Sequence, residues 1–140
     1  MDELEHVILK WNESYATHIE DADRQHQVLV DLIGRLQRAM LDARTRVELP
    51  SILEQLVAYT RRHFAWEEQL LEQYRYPGLE QQRAQHKALT AQVVDLQRKF
   101  EAHQLTVGAP VMSFLRHWLT DHILESDHLY APFLKEKGVG

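Results

Sequence analysis

The segment His63-Phe64-Ala65-Trp66-Glu67 sets an imidazole and a carboxylate four residues apart. On a helix this spacing separates the two side chains by about 40°, so both can aim at one inward point. A single pair of this kind is common by chance. This chain adds His26, His86 and a His122/Asp127 pair, each on its own apolar-periodic segment. A bundle builds a two-metal site by sending nitrogen and carboxylate donors from several helices to a shared interior point.

One buried histidine is ordinarily satisfied by a neighbour. His63, Glu67, His86 and His122 fall on or beside the core face by phase, and four histidines with two carboxylates converging from four helices are a different matter, because each carries a burial penalty when alone. A shared pair of cations turns those separate penalties into one coordination site. The chain has no cysteine, which excludes thiolate zinc sites, iron–sulfur clusters, disulfide frameworks and cysteine nucleophiles. Imidazole with carboxylate suits iron, zinc, copper or nickel. The donors outnumber what one tetrahedral zinc requires, and two metals sharing bridging carboxylates match them better. His122 and Asp127 are five apart, about 140° around an ideal helix. Both reach one site only if the carboxylate bridges at its edge or the helix is distorted, as by a π-bulge.

The elements that must carry these residues are helical. Asp21 or Asp23 can cap a first helix whose stripe is Val28, Leu29, Leu32, Ile33, Leu36 and Met40. Leu49-Pro50-Ser51 opens a second, with Ile52, Leu53, Leu56, Tyr59, His63, Trp66 or Glu67, and Leu70. Tyr76-Pro77-Gly78 stops it. A third helix from Leu79 carries Gln82, His86, Leu89, Val93, Leu96 and Phe100. Residues 106–110 make the last turn. The fourth carries Val111, Phe114, Leu115, Trp118, Leu119, His122, Ile123, Leu129 and Phe133. The expected fold is all-α: an antiparallel up-down-up-down four-helix bundle over 21–137, preceded by an N-terminal arm over 1–20 that carries Trp11, Tyr15 and Ile19.

The 140 residues suffice for a single domain, 1–140, with one substantial core. Sixteen Lys and Arg against 21 Asp and Glu give a net charge of −5, a poor balance for nucleic-acid binding. No apolar run approaches membrane-spanning length. The acidic start, Met1-Asp2-Glu3-Leu4-Glu5, lacks a signal-peptide core, so a cytoplasmic location is expected.

Several stretches together resemble the hemerythrin family, in particular its short single-domain bacterial members. They are Asp23-Arg24-Gln25-His26 with Leu29; His63 through Glu68; Tyr76-Pro77; His86; and Trp118-Leu119-Thr120-Asp121-His122 through Asp127 and Tyr130. The resemblance spans Trp11 to Tyr130. It implies a four-helix bundle with two non-haem iron ions, oxo- or hydroxo-bridged, that binds dioxygen or a similar small ligand. It implies that His26 and His63 hold one iron, that His86 and His122 hold the other, and that Glu67 and Asp127 bridge them. Phe64, Trp118, Leu119 and Ile123 are suited to line a dry oxygen pocket, though such residues also fill ordinary cores.

One position departs from the family pattern, which has a histidine one turn before His86. This chain has Gln82 there. Either the Gln82 amide oxygen is a weak ligand, or Gln82 hydrogen-bonds a water in that place. In both cases that iron is more open. His6, His18, His103, His117 and His128 are expected to be surface or arm histidines. Three functions follow as alternatives: an oxygen-binding protein for storage, delivery or sensing; a di-iron oxidoreductase acting on oxygen, peroxide or nitric oxide; and a metal-free bundle serving as an interaction module.

Overall fold

The computed structural model describes residues 8–104 and 109–140. Among these residues every regular element is helical. Three long helices come first: α1 (Glu20–Leu41), α2 (Leu49–Gln73) and α3 (Leu79–Glu101). The fourth helix has three parts, α4 (Ala109–His122), a π turn (Ile123–Asp127) and α5 (His128–Glu136). Short connections reverse the chain between neighbours and give the up-down-up-down bundle. Pro50 falls in the first turn of α2, where its missing N–H has no helical acceptor to lose. Of the expected last turn, residues 106–108 lie outside the described residues, and Ala109 and Pro110 already belong to α4.

α1 begins earlier than the capping residues suggest. Its N-cap is Ile19, and neither Asp21 nor Asp23 caps it. Asp23 instead reaches back and accepts from Thr17 N and Oγ1 at 2.7 Å and from His18 N at 3.0 Å. Those bonds fasten the end of the arm. The described part of the arm, from Ile8, contains one 3₁₀ turn, Glu13–Tyr15. Leu9, Tyr15 and Ile19 are buried and Trp11 is half-buried. Leu9 N donates to Gln37 Oε1 at 2.7 Å, and Gln37 Nε2 donates to Met112 O at 2.9 Å, so one buried amide ties the arm to α4. The arm crosses α1 at Gly34, where a Cβ would stand 2.8 Å from Leu9 O.

The core is divided along the bundle axis. A large apolar cluster runs from Leu29–Met40 and Leu49–Val57 to Val93, Leu96 and the inner face of α4. A smaller one holds Ile19, Ala22, Leu71, Tyr130, Ala131 and Leu134. On α1, α2 and the fourth helix, the buried polar residues His26, His63, Glu67 and Asp127 fall between stretches belonging to the two clusters.

Two stripe residues face outward instead. Val28 is 37% exposed, and Val30 takes a core place instead. Leu129 is 64% exposed, while Tyr130, Ala131 and Leu134 are buried. The π turn is the reason. It inserts one extra residue per turn, so every position after it rotates back by one, and the inner face moves from Leu129 and Phe133 to Tyr130 and Leu134.

Candidate metal centre

α1 contributes His26 and α2 contributes His63 and Glu67, a turn apart as the four-residue spacing requires. α3 contributes His86 and Gln82, and the fourth helix contributes His122 and Asp127. The π turn spans the gap between the last two. It brings positions five apart onto one face, which an ideal α-helix does not do. All these side chains are buried.

The donor atoms fall into two groups. His26, His63, Glu67 and Asp127 form one; Glu67, His86, His122 and Asp127 form the other, with all donor atoms of a group within 4.8 Å of one another. Both carboxylates belong to both groups. Glu67 Oε2 lies 3.3 Å from His63 Nε2 and 3.5 Å from His26 Nε2, while its Oε1 lies 2.9 Å from His86 Nε2. Asp127 Oδ2 is 3.1 Å from His26 Nε2 and its Oδ1 is 3.1 Å from His122 Nε2. Each carboxylate thus turns one oxygen to each side.

These atoms are close but not aligned as hydrogen bonds. Nε2 of His26, His63, His86 and His122, Glu67 Oε1 and Asp127 Oδ2 are all buried without a hydrogen-bond partner. Orphaned donors and acceptors at this density are costly, on the order of 1–3 kcal/mol each. They point at shared space rather than at each other. Imidazole nitrogen and carboxylate oxygen are hard-to-borderline donors, so the set fits a pair of divalent first-row metals.

A surrounding layer holds the donors in place. His63 Nδ1 meets Gln25 Oε1 at 2.7 Å, and His86 Nδ1 meets Glu68 Oε2 at 2.8 Å. Both contacts occupy Nδ1 and leave Nε2 turned inward. Tyr130 OH donates to Glu67 Oε2 at 2.7 Å. Gln82 Nε2 donates to Asp127 Oδ1 at 3.3 Å, while Gln82 Oε1 is buried and unpartnered. Sequence reasoning did not assign roles to Gln25, Glu68 or Tyr130. Gln25 and Glu68 each adjoin a candidate ligand, but their partners are on other helices, and no periodicity in one helix reveals that.

Charge follows this geometry. Burial pulls the His26 imidazole down, but the Asp127 and Glu67 carboxylates beside it more than reverse this and raise it to about 10. Burial also opposes charge on His86, and Glu67, then Glu68, raise it. Burial would push Glu67 up; His63, His26 and His86 hold it well below the usual carboxylate range. Burial and Glu67 both push Asp127 up, yet His122 and His26 bring it below its ordinary value. Burial and then Glu67 drive the Tyr130 hydroxyl well above its ordinary value, so it remains a donor. A cation bound here would have to displace the proton that Asp127 and Glu67 favour on His26.

A family model described as the hemerythrin HHE cation-binding domain matches residues 17–134. The chain belongs to the hemerythrin family. It is similar to the bacteriohemerythrin of Methylococcus capsulatus, at 30% identity over 129 residues that cover 91% of this chain and 98% of that protein. The myohemerythrin of Riftia pachyptila is 25% identical over 120 residues, covering 86% of this chain and 88% of that one. A crystal structure of wild-type hemerythrin matches this bundle with a TM-score of 0.80 at 30% identity, covering 89% of this chain and 96% of the other.

Within this hemerythrin fold the four residues expected around an oxygen pocket are all buried. Phe64 stacks on His86 with ring centroids 3.9 Å apart and lies 5.9 Å from the His122 ring. Trp118 donates its indole N–H to Leu89 O at 3.0 Å and, with His122, lines a cleft of about 430 Å³ between α3 and the fourth helix. Leu119 and Ile123 pack into the large apolar cluster. Of the remaining histidines, His18, His103 and His117 are exposed. His128 is half-buried, with Nε2 3.2 Å from Tyr15 O. His6 lies outside the described residues. Among the described residues no helix is long and apolar enough to cross a membrane.

Proposed function

We propose that this chain is a non-haem di-iron protein that binds dioxygen reversibly, in storage, delivery or sensing. The observation that carries the reading is the pair of donor groups sharing Glu67 and Asp127. In this reading His26 and His63 hold one iron, His86 and His122 hold the other, and the two carboxylates bridge. When bound, the iron pair supplies the electrons that reversible dioxygen binding requires. The chain supplies the rest. The Glu67 and Asp127 carboxylates would offset part of the metal charge, and the imidazoles would complete the donor set. The apolar clusters keep bulk water from the centre. In this reading Phe64, stacked on His86, and Trp118, beside His122 in the cleft, would face an incoming ligand, with Leu119 and Ile123 in the adjoining apolar cluster. Tyr130 holds Glu67 by its hydroxyl.

Gln82 favours a second reading, a di-iron oxidoreductase acting on oxygen, peroxide or nitric oxide. Each donor group contains only two imidazoles, and the Gln82 amide nitrogen donates to Asp127 while its Oε1 has no hydrogen-bond partner. The iron beside His86 is then open to water and other ligands. The orphaned buried atoms weigh against a metal-free interaction module, because among the described residues nothing else in the core satisfies them. The deciding experiment is anaerobic reconstitution with ferrous iron, followed by optical spectra before and after oxygen. A reversible adduct on about two irons per chain supports oxygen binding. Rapid oxidation with turnover supports the oxidoreductase. Stoichiometric zinc with no uptake of iron overturns both.

A further inference from the structure

The imidazoles around the centre are backed unequally. His63 Nδ1 meets a neutral amide oxygen, that of Gln25, and His26 Nδ1 is buried with no partner. His86 Nδ1 meets a carboxylate, Glu68 Oε2, at 2.8 Å. A carboxylate anion only accepts, so this contact places the proton on Nδ1 and leaves the Nε2 lone pair facing the centre. An anionic acceptor also makes the ring a stronger donor than an amide acceptor does. Glu68 is itself held. Arg83 Nε stands 3.5 Å from Glu68 Oε1, and the same guanidinium pairs with Glu72 and Glu80. Phe64 lies flat on His86, with 3° between the ring planes, and keeps the imidazole from turning. This backing belongs to the half of the centre where Gln82 contributes no imidazole.

We propose that Glu68 is a positioning residue for that half: its carboxylate, anchored by Arg83, fixes the His86 tautomer and strengthens His86 as a ligand, offsetting the nitrogen that Gln82 does not supply. The inference rests on the metal-binding reading above. The experiment titrates metal-free protein anaerobically with iron-57 as the ferrous ion, in the wild type, Glu68→Gln, Glu68→Ala and Glu72→Gln. Glu72 touches Arg83 but no histidine and serves as the control. Glu68→Gln keeps the side-chain shape and removes the charge. It should weaken one of two binding steps by about 10–100-fold, the range for groups that support a ligand. One of two Mössbauer doublets should move, Glu68→Ala should lose more, and Glu72→Gln should match the wild type. Wild-type affinity with unmoved doublets in both Glu68 variants would overturn the inference. So would equal loss at both steps, because a merely structural role predicts that. Should the wild type take up fewer than two ferrous ions, the di-iron function fails, and the same series titrated with zinc decides the role of Glu68. A loss confined to the Glu68 variants then supports it, and no difference from wild type overturns it.

Discussion

Glu67→Ala removes the group on which both halves of the centre depend. Its Oε2 stands beside His26 and His63 and its Oε1 beside His86, so one substitution takes a donor atom from each group. His26→Ala takes a donor from one group only. Loss of a group that merely supports a ligand weakens metal binding by about 10–100-fold, and loss of a ligand should cost at least as much. Applied to both ions, Glu67→Ala should weaken the pair by about 10²–10⁴-fold, or roughly 2.8–5.6 kcal/mol at 1.4 kcal/mol per tenfold. His26→Ala should show about half of that on the free-energy scale. The vacated space adds two effects. Tyr130 OH loses its acceptor, and His26 and His86 lose a counterion, so the metal-free variant should also melt earlier. The assay is ferrous loading under anaerobic conditions, gel filtration and iron per chain, with melting of the metal-free forms alongside. Iron retention in Glu67→Ala equal to the wild type, or no worse than in His26→Ala, would refute the bridging role.

The metal-free protein should have an unusual pH profile. His26 and His86 are raised in the fold, so their contribution is complete below the unfolded value of 6.5 and is lost as pH climbs, for His26 through about 10. Glu67 and Asp127 are lowered, so theirs is present above the unfolded values of 4.5 and 3.8 and lost as pH falls further. Metal-free melting temperature should therefore peak between about pH 4.5 and 6.5, whereas metal uptake should strengthen toward higher pH as protons leave the imidazoles; a metal-free melting temperature that rises from pH 6.5 to 10 contradicts the ion pairing. Gln82→His should add a nitrogen donor, tighten iron retention by up to about 10–100-fold and lengthen the life of the oxygen adduct in stopped flow. An unchanged adduct lifetime with a stability loss of about 1–3 kcal/mol would mean that the site has no room for the ring. Deleting Leu124, which is 43% exposed, should convert the π turn into an α turn and leave Asp127 four residues after His122, still facing inward. Iron uptake should survive with helicity unchanged by circular dichroism, and its loss would show that the π geometry itself is required.

Four candidate ligands, His63, Glu67, His86 and His122, stood out in the sequence because burial and periodicity act within one helix, whereas the full set with His26 and Asp127 was what the family resemblance implied. A polar residue in an apolar stripe is conspicuous, and a four-residue spacing fixes the angle between His63 and Glu67 wherever that helix lies. The fold class was legible for the same reason, since every stripe had helical period and short punctuated links. The His122/Asp127 spacing even announced a distortion, though two remedies were open and only the fold selected the π turn. Its consequence downstream, the exchange of Leu129 for Tyr130 on the inner face, was out of reach, because an ideal-helix projection carries one phase through to the end. What the tertiary structure alone decided is the registry between helices. It determines that Glu67 from α2 stands between His26 of α1 and His86 of α3, that Glu68 backs His86, and that the Gln82 amide turns to Asp127. Periodicity sets the direction of a side chain about its own axis. How far one helix slides along the next is set by the packing of the two apolar clusters on either side of the polar layer, and that sum of many weak contacts has no local signature in the chain.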